Sequence, residues 1–362
     1  MVVVITQQQM KKLLTIAALL LVTCGAFAQK HRSYVIGFYN LENLFDTYHD
    51  EGKNDYQYLP DGQNEWTEAK YQQKLKNMAR VIRAMRDDNG RYHTILGVSE
   101  VENRHVLDDL VNEPAIAEAN YQIVHYDGPD RRGVDVALFY KPEQFKLLES
   151  LSIPFTFEPS QIDFSAWTAE EKDAFRTRDV LFVRGTIDGE MFGFYVAHLP
   201  SRLGGKGADL RPRGAEIIYD HAMKMEQEYP GIKIVVMGDM NDNPTDVSMT
   251  KFMHGREKIS EVGPEDFYSP FLSMFKKGFS SLYYRGEGNI YDIILTSHSL
   301  VAGEGLQLQK INRKGYYGRV FKKDFMTNQS GPYKGTPFRT FSGGAFIGGY
   351  SDHYPTYIVV SK

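Results

Sequence analysis

A single cysteine, Cys24, is all that the 362-residue chain contains, and it sits near the N-terminus. One thiol closes no internal disulfide and assembles no cysteine-based zinc site, so the fold must rest on its core. Excess positive charge is also missing: 42 Lys and Arg stand against 46 Asp and Glu, a net charge of −4. That balance argues against coating nucleic acid by bulk charge and leaves room only for a local basic groove. There is no phosphate-binding glycine loop with lysine and no HExxH; the short "GGKG" at 204–207 reads as a flexible loop. From residue 33 onward no long linker, low-complexity tract or internal repeat interrupts the chain, which makes one domain the simplest organisation.

The one extended apolar run follows Lys11 and Lys12, "LLTIAALLLVTCGAFA", and is too short to span a bilayer comfortably. Ending in Ala26-Phe27-Ala28, it reads as a secretory signal cleaved after Ala28, with translation starting at Met10. A membrane anchor and a lipoprotein signal at Cys24 are the other readings; "LVTC" has Thr where lipoprotein signals want Gly, Ala or Ser. The expected organisation is therefore a signal over 1–28 and a catalytic domain over 29–362. An exported, periplasmic or secreted protein with no stable membrane insertion is implied.

Hydrophobic residues make up 42% of the chain, enough for a large core. Nine short apolar runs, from "SYVIGFY" (33–39) and "HTILGVS" (93–99) through "YQIVHY", "VDVALFY", "VLFVRGTI", "MFGFYVA", "IKIVVMG" and "IYDIILTS" to "YPTYIVVS", have the length and β-branched or aromatic content of strands. Helical spacing appears in "TEAKYQQKLKNMARVIRAMR", where Tyr71, Leu75, Met78, Ile82 and Met85 share a face and Thr67 can cap. A second helix is expected in "GADLRPRGAEIIYDHAMKMEQEY", closed by Pro230-Gly231. Strands apolar on both faces belong to sheets covered on both sides, so two stacked sheets with helices outside are expected. The long connections at 46–66, 154–178 and 311–349 carry the mark of functional loops.

Six of the apolar runs carry polar residues at an end or within them: Asn40, Glu42 and Asn43; Glu100 and Glu102; His198; Asp239, Asn241 and Asp242; Asp292 inside its run; and Ser351, Asp352 and His353 just before the last run. Singly, each is ordinary turn chemistry or a structural histidine. Asp292 is harder to dismiss, because a carboxylate inside "IYDIIL" is buried by pattern and needs a partner such as a histidine. Jointly they offer what phosphate-ester hydrolysis requires. Glu100 and Asp352 can hold a hard divalent ion. Asp239 and Asn241, two apart, can orient water or a phosphoryl oxygen, and His198 and His353 can move protons. A calcium loop in "DMNDNP" fails, with Pro244 where Gly is wanted and Thr250 where Glu is wanted. Asp242 and Asn243-Pro244 read as turn and cap residues leading into a helix after Thr245, and Gly238 as a point of close backbone approach.

The set, in this order, resembles the endonuclease/exonuclease/phosphatase superfamily over about residues 33 to 360. "FYNLEN" is similar to its first motif (Asn40), "GVSEVEN" to its metal-binding motif (Glu100) and "VAHLPS" to its histidine motif (His198). "GDMND" matches Gly-Asp-x-Asn (Asp239, Asn241), "IYDIIL" supplies Asp292 and "SDHYP" supplies Asp352 and His353. Ser99 departs from the Gln that many members carry before the Glu. The resemblance implies a four-layer α/β sandwich, two stacked mixed sheets flanked by helices, and Mg²⁺- or Mn²⁺-dependent phosphoester cleavage, with Ca²⁺ as a further candidate. It implies in-line attack of water: His353, held by Asp292, as base, Asn40 and Asn241 on phosphate oxygens, His198 on the leaving oxygen, with Asp239 and His353 able to exchange roles. Substrate is left open by the fold. Arg131, Arg132, Arg202, Lys206, Arg211, Arg213 and the basic aromatic loop at 313–323 suggest nucleic acid, with lipid headgroups or inositol phosphates as the alternative.

Overall fold

The computed structural model describes residues 32–202, 207–311 and 315–362. The signal expected over 1–28, Lys206 and the first residues of the 313–323 loop lie outside the described residues.

The first strand, β1 (Ser33–Leu44), is buried along almost its whole length, as its unbroken apolar run requires. It pairs antiparallel with the last strand, β10 (Thr356–Ser361), and parallel with β2 (Ile95–Val101). Beyond β2 come β4 (Asp135–Tyr140) and the edge strand β3 (Gln122–His125), both antiparallel. The short strands Gln307–Leu308 and Gly318–Val320 cover the other side of β10 and complete a seven-stranded mixed sheet. The second seven-stranded sheet runs β5 (Phe145–Ile153), β6 (Val180–Ile187), β7 (Glu190–His198), β8 (Lys233–Asp239), β9 (Asp292–Ser297), then Phe267–Tyr268 and Gly255–Arg256. Its β7 and β8 are parallel, like β1 and β2 in the first sheet.

The two sheets face each other over one apolar layer that includes Ile36, Phe38, Ile95, Leu138, Phe194, Val196, Val235, Met237 and Ile294. Their approach is close at Gly97, where an added Cβ would lie 2.7 Å from the Met237 sulfur. Gly238 also marks a close approach, with an added Cβ 2.1 Å from the Ala197 carbonyl oxygen of the neighbouring strand.

Helix α1 (Glu68–Asn89) covers the outer face of the first sheet. It buries Tyr71, Leu75, Met78, Ile82 and Met85 as the spacing predicts, and Gly90 ends it in a left-handed turn at φ 71°. Thr67 stands at the N-cap without making a side-chain cap bond. On the second sheet, α2 (Leu210–Glu228) buries Ala215, Ile218 and Ala222. The result is helix, sheet, sheet, helix, the expected sandwich. Among the described residues no helix is long and apolar enough to cross a membrane.

Two local readings differ from the structure. The strand β5, "FKLLESLSI", escapes the apolar-run criterion because only its ends are fully buried and polar residues interrupt its partly exposed middle. After Thr245 the chain forms a single π-helical turn, Ser248–Phe252, and Asp242 does not cap it; Asp242 is buried and accepts from Ser248, Arg202 and Arg211.

His93 illustrates what burial does to an ionisable group. Both ring nitrogens are buried with no hydrogen-bond partner, the ring packing edge-on against Tyr357. Desolvation pushes its pKa down from 6.5 to about 3. The unfolded chain therefore binds a proton that the folded chain refuses, so stability is full above pH 6.5 and falls between pH 6.5 and about 3. The loss rises by roughly 1.4 kcal/mol per pH unit in that window. His93→Leu is expected to remove this component, leaving a shallower fall of melting temperature from pH 7 to pH 4.5 than the parent shows. Parallel curves for the two proteins would reject the assignment.

Candidate active site

The polar clusters that look like six separate strand ends are brought to one edge of the sandwich by register. Across the second sheet His198 stands beside Asp239, and Asp239 beside Asp292. Across the first, Asn40 stands beside Ser99, and directly after this pair both β1 and β2 leave regular pairing. The irregular backbone has a conformational signature: Glu42, Asn43, Glu100 and Asn241 all adopt left-handed φ, between 48° and 58°. Such conformations cost about 1–3 kcal/mol each in non-glycine residues and gather where a side chain must be re-aimed.

The re-aiming produces one connected cluster. The Asn40 amide nitrogen, fully buried, donates to Glu100 Oε1 at 3.1 Å and to Asp239 Oδ2 at 3.0 Å, joining a carboxylate of each sheet. Its oxygen accepts from the Glu42 backbone N–H, and Glu100 Oε2 accepts from the Asn43 backbone N–H at 3.0 Å. On the other side, the buried carboxylate of Asp292 has the histidine partner its position demands: His353 Nδ1 lies 2.8 Å and 3.0 Å from its two oxygens. Ser281 donates to the same carboxylate. That contact aims His353 Nε2 at Asp239 Oδ2 and at Asp352 Oδ1, each 3.8 Å away.

Electrostatics separate the two histidines. Burial alone would lower the His353 pKa, but Asp292, Asp239 and Asp352 outweigh it and raise the ring well above its ordinary value. Burial lowers His198 well below its ordinary value, aided by Arg178, Arg132 and His353, so this ring is neutral at neutral pH. Burial pushes Asp239 up to about 7, with Asp292 and Glu100 adding to the rise and His353 opposing it. Facing carboxylates under such pressure are what a cation relieves.

Glu100, His198 and Asp239 each offer a ligand atom within 4.8 Å of the others, so the donor set fits a divalent ion. Asp352, expected beside Glu100 at the metal, stands outside this trio, its Oδ2 held by Arg339 at 3.1 Å. Asn241 lines the cleft, although its side-chain N–H donates to the Leu199 carbonyl.

The arginines divide. Arg132 lines the cleft and is partly exposed, whereas Arg131 is exposed and outside the lining. Arg202 also lines it, yet its guanidinium is bound to Asp242, Asp246 and the Asn241 carbonyl, a brace for the turn. Arg211 and Arg213 are engaged by Asp242 and Glu216. In the basic aromatic loop, Arg319 and Lys323 pair with Asp88 at the end of α1. Sequence reasoning missed Arg178, a buried cation of the cleft that donates to the His198 and Leu199 carbonyls and pairs with Asp130. It also missed Tyr284 in the cleft wall, and Arg339. No spacing marks them; they come from segments far apart in the chain.

Residues 35–362 match the sequence profile of the Endonuclease/Exonuclease/phosphatase family. No curated protein matches the chain in sequence. Among solved structures, D. rerio TDP2 complexed with single strand DNA product is similar at 13% identity and TM-score 0.52, covering 91% of this chain and 99% of that one. The human Nocturnin catalytic domain with bound sulfate is similar at 16% identity and TM-score 0.51, covering 92% and 97%. The Bacteroides thetaiotaomicron mannosyl-6-phosphatase is similar at 16% identity and TM-score 0.51, covering 90% and 99%. At these identities the likeness carries the fold, two large mixed sheets flanked by helices.

Proposed function

Because the chain belongs to the endonuclease/exonuclease/phosphatase family, whose members are phosphoester hydrolases that use divalent metals, we propose that it is an exported phosphodiesterase that cuts nucleic acid. The observation that carries the reading is the continuous chain of contacts from Ser281 through Asp292, His353, Asp239 and Asn40 to Glu100. It supplies an oriented proton carrier beside a pair of carboxylates, the equipment for water attack on phosphorus. Export rests on the signal-like pattern over 1–28, with 29–362 as the catalytic domain.

In this mechanism water attacks phosphorus in line with the leaving oxygen. Its proton passes to Asp239, whose pKa burial raises to about 7, while the His353 ring 3.8 Å away, oriented by Asp292 and already protonated, holds positive charge beside it. The neutral His198 ring, with Asn241, hydrogen-bonds oxygens of the phosphate and leaving group as the P–O bond breaks, and Arg132 and Arg178 add positive charge to that side of the cleft. Glu100 and Asp239, with Asp352 across the cleft, would hold Mg²⁺ or Mn²⁺, Ca²⁺ suiting the same oxygens, and an ion there would neutralise charge on the phosphate. Asn40 keeps the two carboxylates in place.

The test is incubation of the protein with plasmid DNA, RNA, sphingomyelin and inositol phosphates, in each of the three metals and in chelator. Cleavage of DNA or RNA that chelator abolishes is expected. Turnover of the lipid or inositol substrates alone would replace the nuclease by the phosphatase reading, and activity indifferent to chelator would remove the metal.

A further inference from the structure

Beside the catalytic cleft lies a second and larger depression, a groove of about 740 Å³ whose lining includes Tyr283, Arg285, Tyr333, Lys334, Arg339 and Asp352. Asp352 belongs to both cavities. The wall between them is the strand Leu282–Tyr284 of a two-stranded hairpin closed by Arg285 and Gly286. Alternate side chains of a strand point to opposite faces. Leu282 and Tyr284 accordingly face the cleft, and Tyr283 faces the groove. Leu282 also bridges to His353, which fixes the hairpin against the catalytic histidine.

The groove walls are held in place. The segment that carries Arg339 is anchored by Lys74, which donates to Thr340 and to the Tyr350 carbonyl, and by Asn77, which donates to the Gly348 and Gly349 carbonyls. Its chemistry is two exposed rings and surplus cations. Tyr333 and Tyr283 are 60% and 38% exposed. Arg339 is balanced by Glu42 and Asp352, whereas Arg285 and Lys334 make no ion pair among the described residues. Arg285 occupies a left-handed turn position, φ 52°, that Asn, Asp or Gly fills with less strain.

We propose that this groove binds the unpaired strand flanking the scissile phosphate, Tyr283 and Tyr333 stacking on bases and Arg285 and Lys334 holding the next phosphates. The proposal rests on the nuclease reading and names its substrate class. Cations beyond the reacting phosphate call for further phosphates, and flat exposed rings call for flat partners; a single strand carries both at a regular repeat. A lone sugar phosphate would fill the cleft and leave the groove empty. A lipid surface calls for rings on a projecting face, and these line a concavity.

The test compares kcat/KM for oligothymidylate with kcat/KM for bis(4-nitrophenyl) phosphate, a diester too small to reach the groove. Tyr333→Ala and Tyr283→Ala are each expected to lower the ratio about tenfold, through KM. Tyr333→Phe, which keeps the ring face, is expected to hold the parent ratio. Lys334→Gln is expected to make the salt dependence of oligonucleotide binding shallower by roughly 0.7. An unchanged ratio in both alanine variants, with the parent protein cutting the oligonucleotide, would overturn the groove assignment and leave the nuclease reading standing. A parent protein that hydrolyses the small ester and no oligonucleotide would overturn both. Loss of phosphatidylserine-vesicle binding in Tyr333→Ala, with the ratio intact, would assign the groove to a lipid surface instead.

Discussion

His353→Ala is expected to lower kcat about 10²- to 10⁴-fold, the range associated with losing a positioned acid or base. The ring is the one group that touches both halves of the proton path, bonded to Asp292 through Nδ1 and facing Asp239 through Nε2. The alanine variant also leaves the fully buried Asp292 with Ser281 as its hydrogen-bond donor, so a lowered melting temperature should accompany the lost rate. Measuring kcat well below the melting transition separates the two effects. Asp292→Asn tests the orienting contact by itself. If the pair works as a unit, adding Asp292→Asn to His353→Ala costs little more than His353→Ala alone. His198→Ala is expected to fall in the same range without that non-additivity. A His353→Ala protein within tenfold of the parent rate would take this residue out of the chemistry.

The largest stability effect is expected at Lys74. Its side chain is fully buried in α1, donating to Thr340 Oγ1 at 2.6 Å and to the Tyr350 carbonyl at 2.7 Å, with Glu42 at 3.7 Å. Glu42 in turn accepts from the Thr340 N–H at 2.7 Å and from Arg339 at 3.0 Å. Burial pulls Lys74 down to about 8 and pushes Glu42 up to about 7, the mark of buried charges that lean on each other, with Arg339 as a further partner of Glu42. Breaking such a pair by removing one partner costs about 3–5 kcal/mol, and removing both costs less than the sum. Lys74→Met is expected to show that loss in denaturant unfolding, and Lys74→Met with Glu42→Gln to recover part of it. A loss below about 1 kcal/mol in the single variant would mean that water reaches the lysine.

Much of this was legible in the residues, for reasons that differ from element to element. The α1 face and the strands of both sheets announce themselves because burial on a regular element writes a period into the chain. Asp292 announces itself because a carboxylate inside an apolar strand has few explanations. The strand β5 stays hidden because most of it is not fully buried, and pairing with β6 and the anchors Phe145 and Ile153 at its ends hold it in the sheet. Lys74 and Arg178 stay hidden for a deeper reason: a long cationic side chain is expected in solvent, and only its partners, from distant loops, show that it is not. Likewise Asn40, expected to face phosphate oxygens, uses both amide hydrogens on carboxylates, a use visible only once strands from two sheets meet.

That meeting carries a mechanical meaning. Glu100 and Asp239 are anchored in different sheets, and the Asn40 amide hydrogen-bonds both, with the His198 ring nitrogen within 4 Å of each. The width of the site is thus a readout of how the two sheets are registered, and the tightly interdigitated layer around Gly97 and Met237 acts as its caliper. Catalytic geometry and core packing are, in this protein, the same length measured in two places.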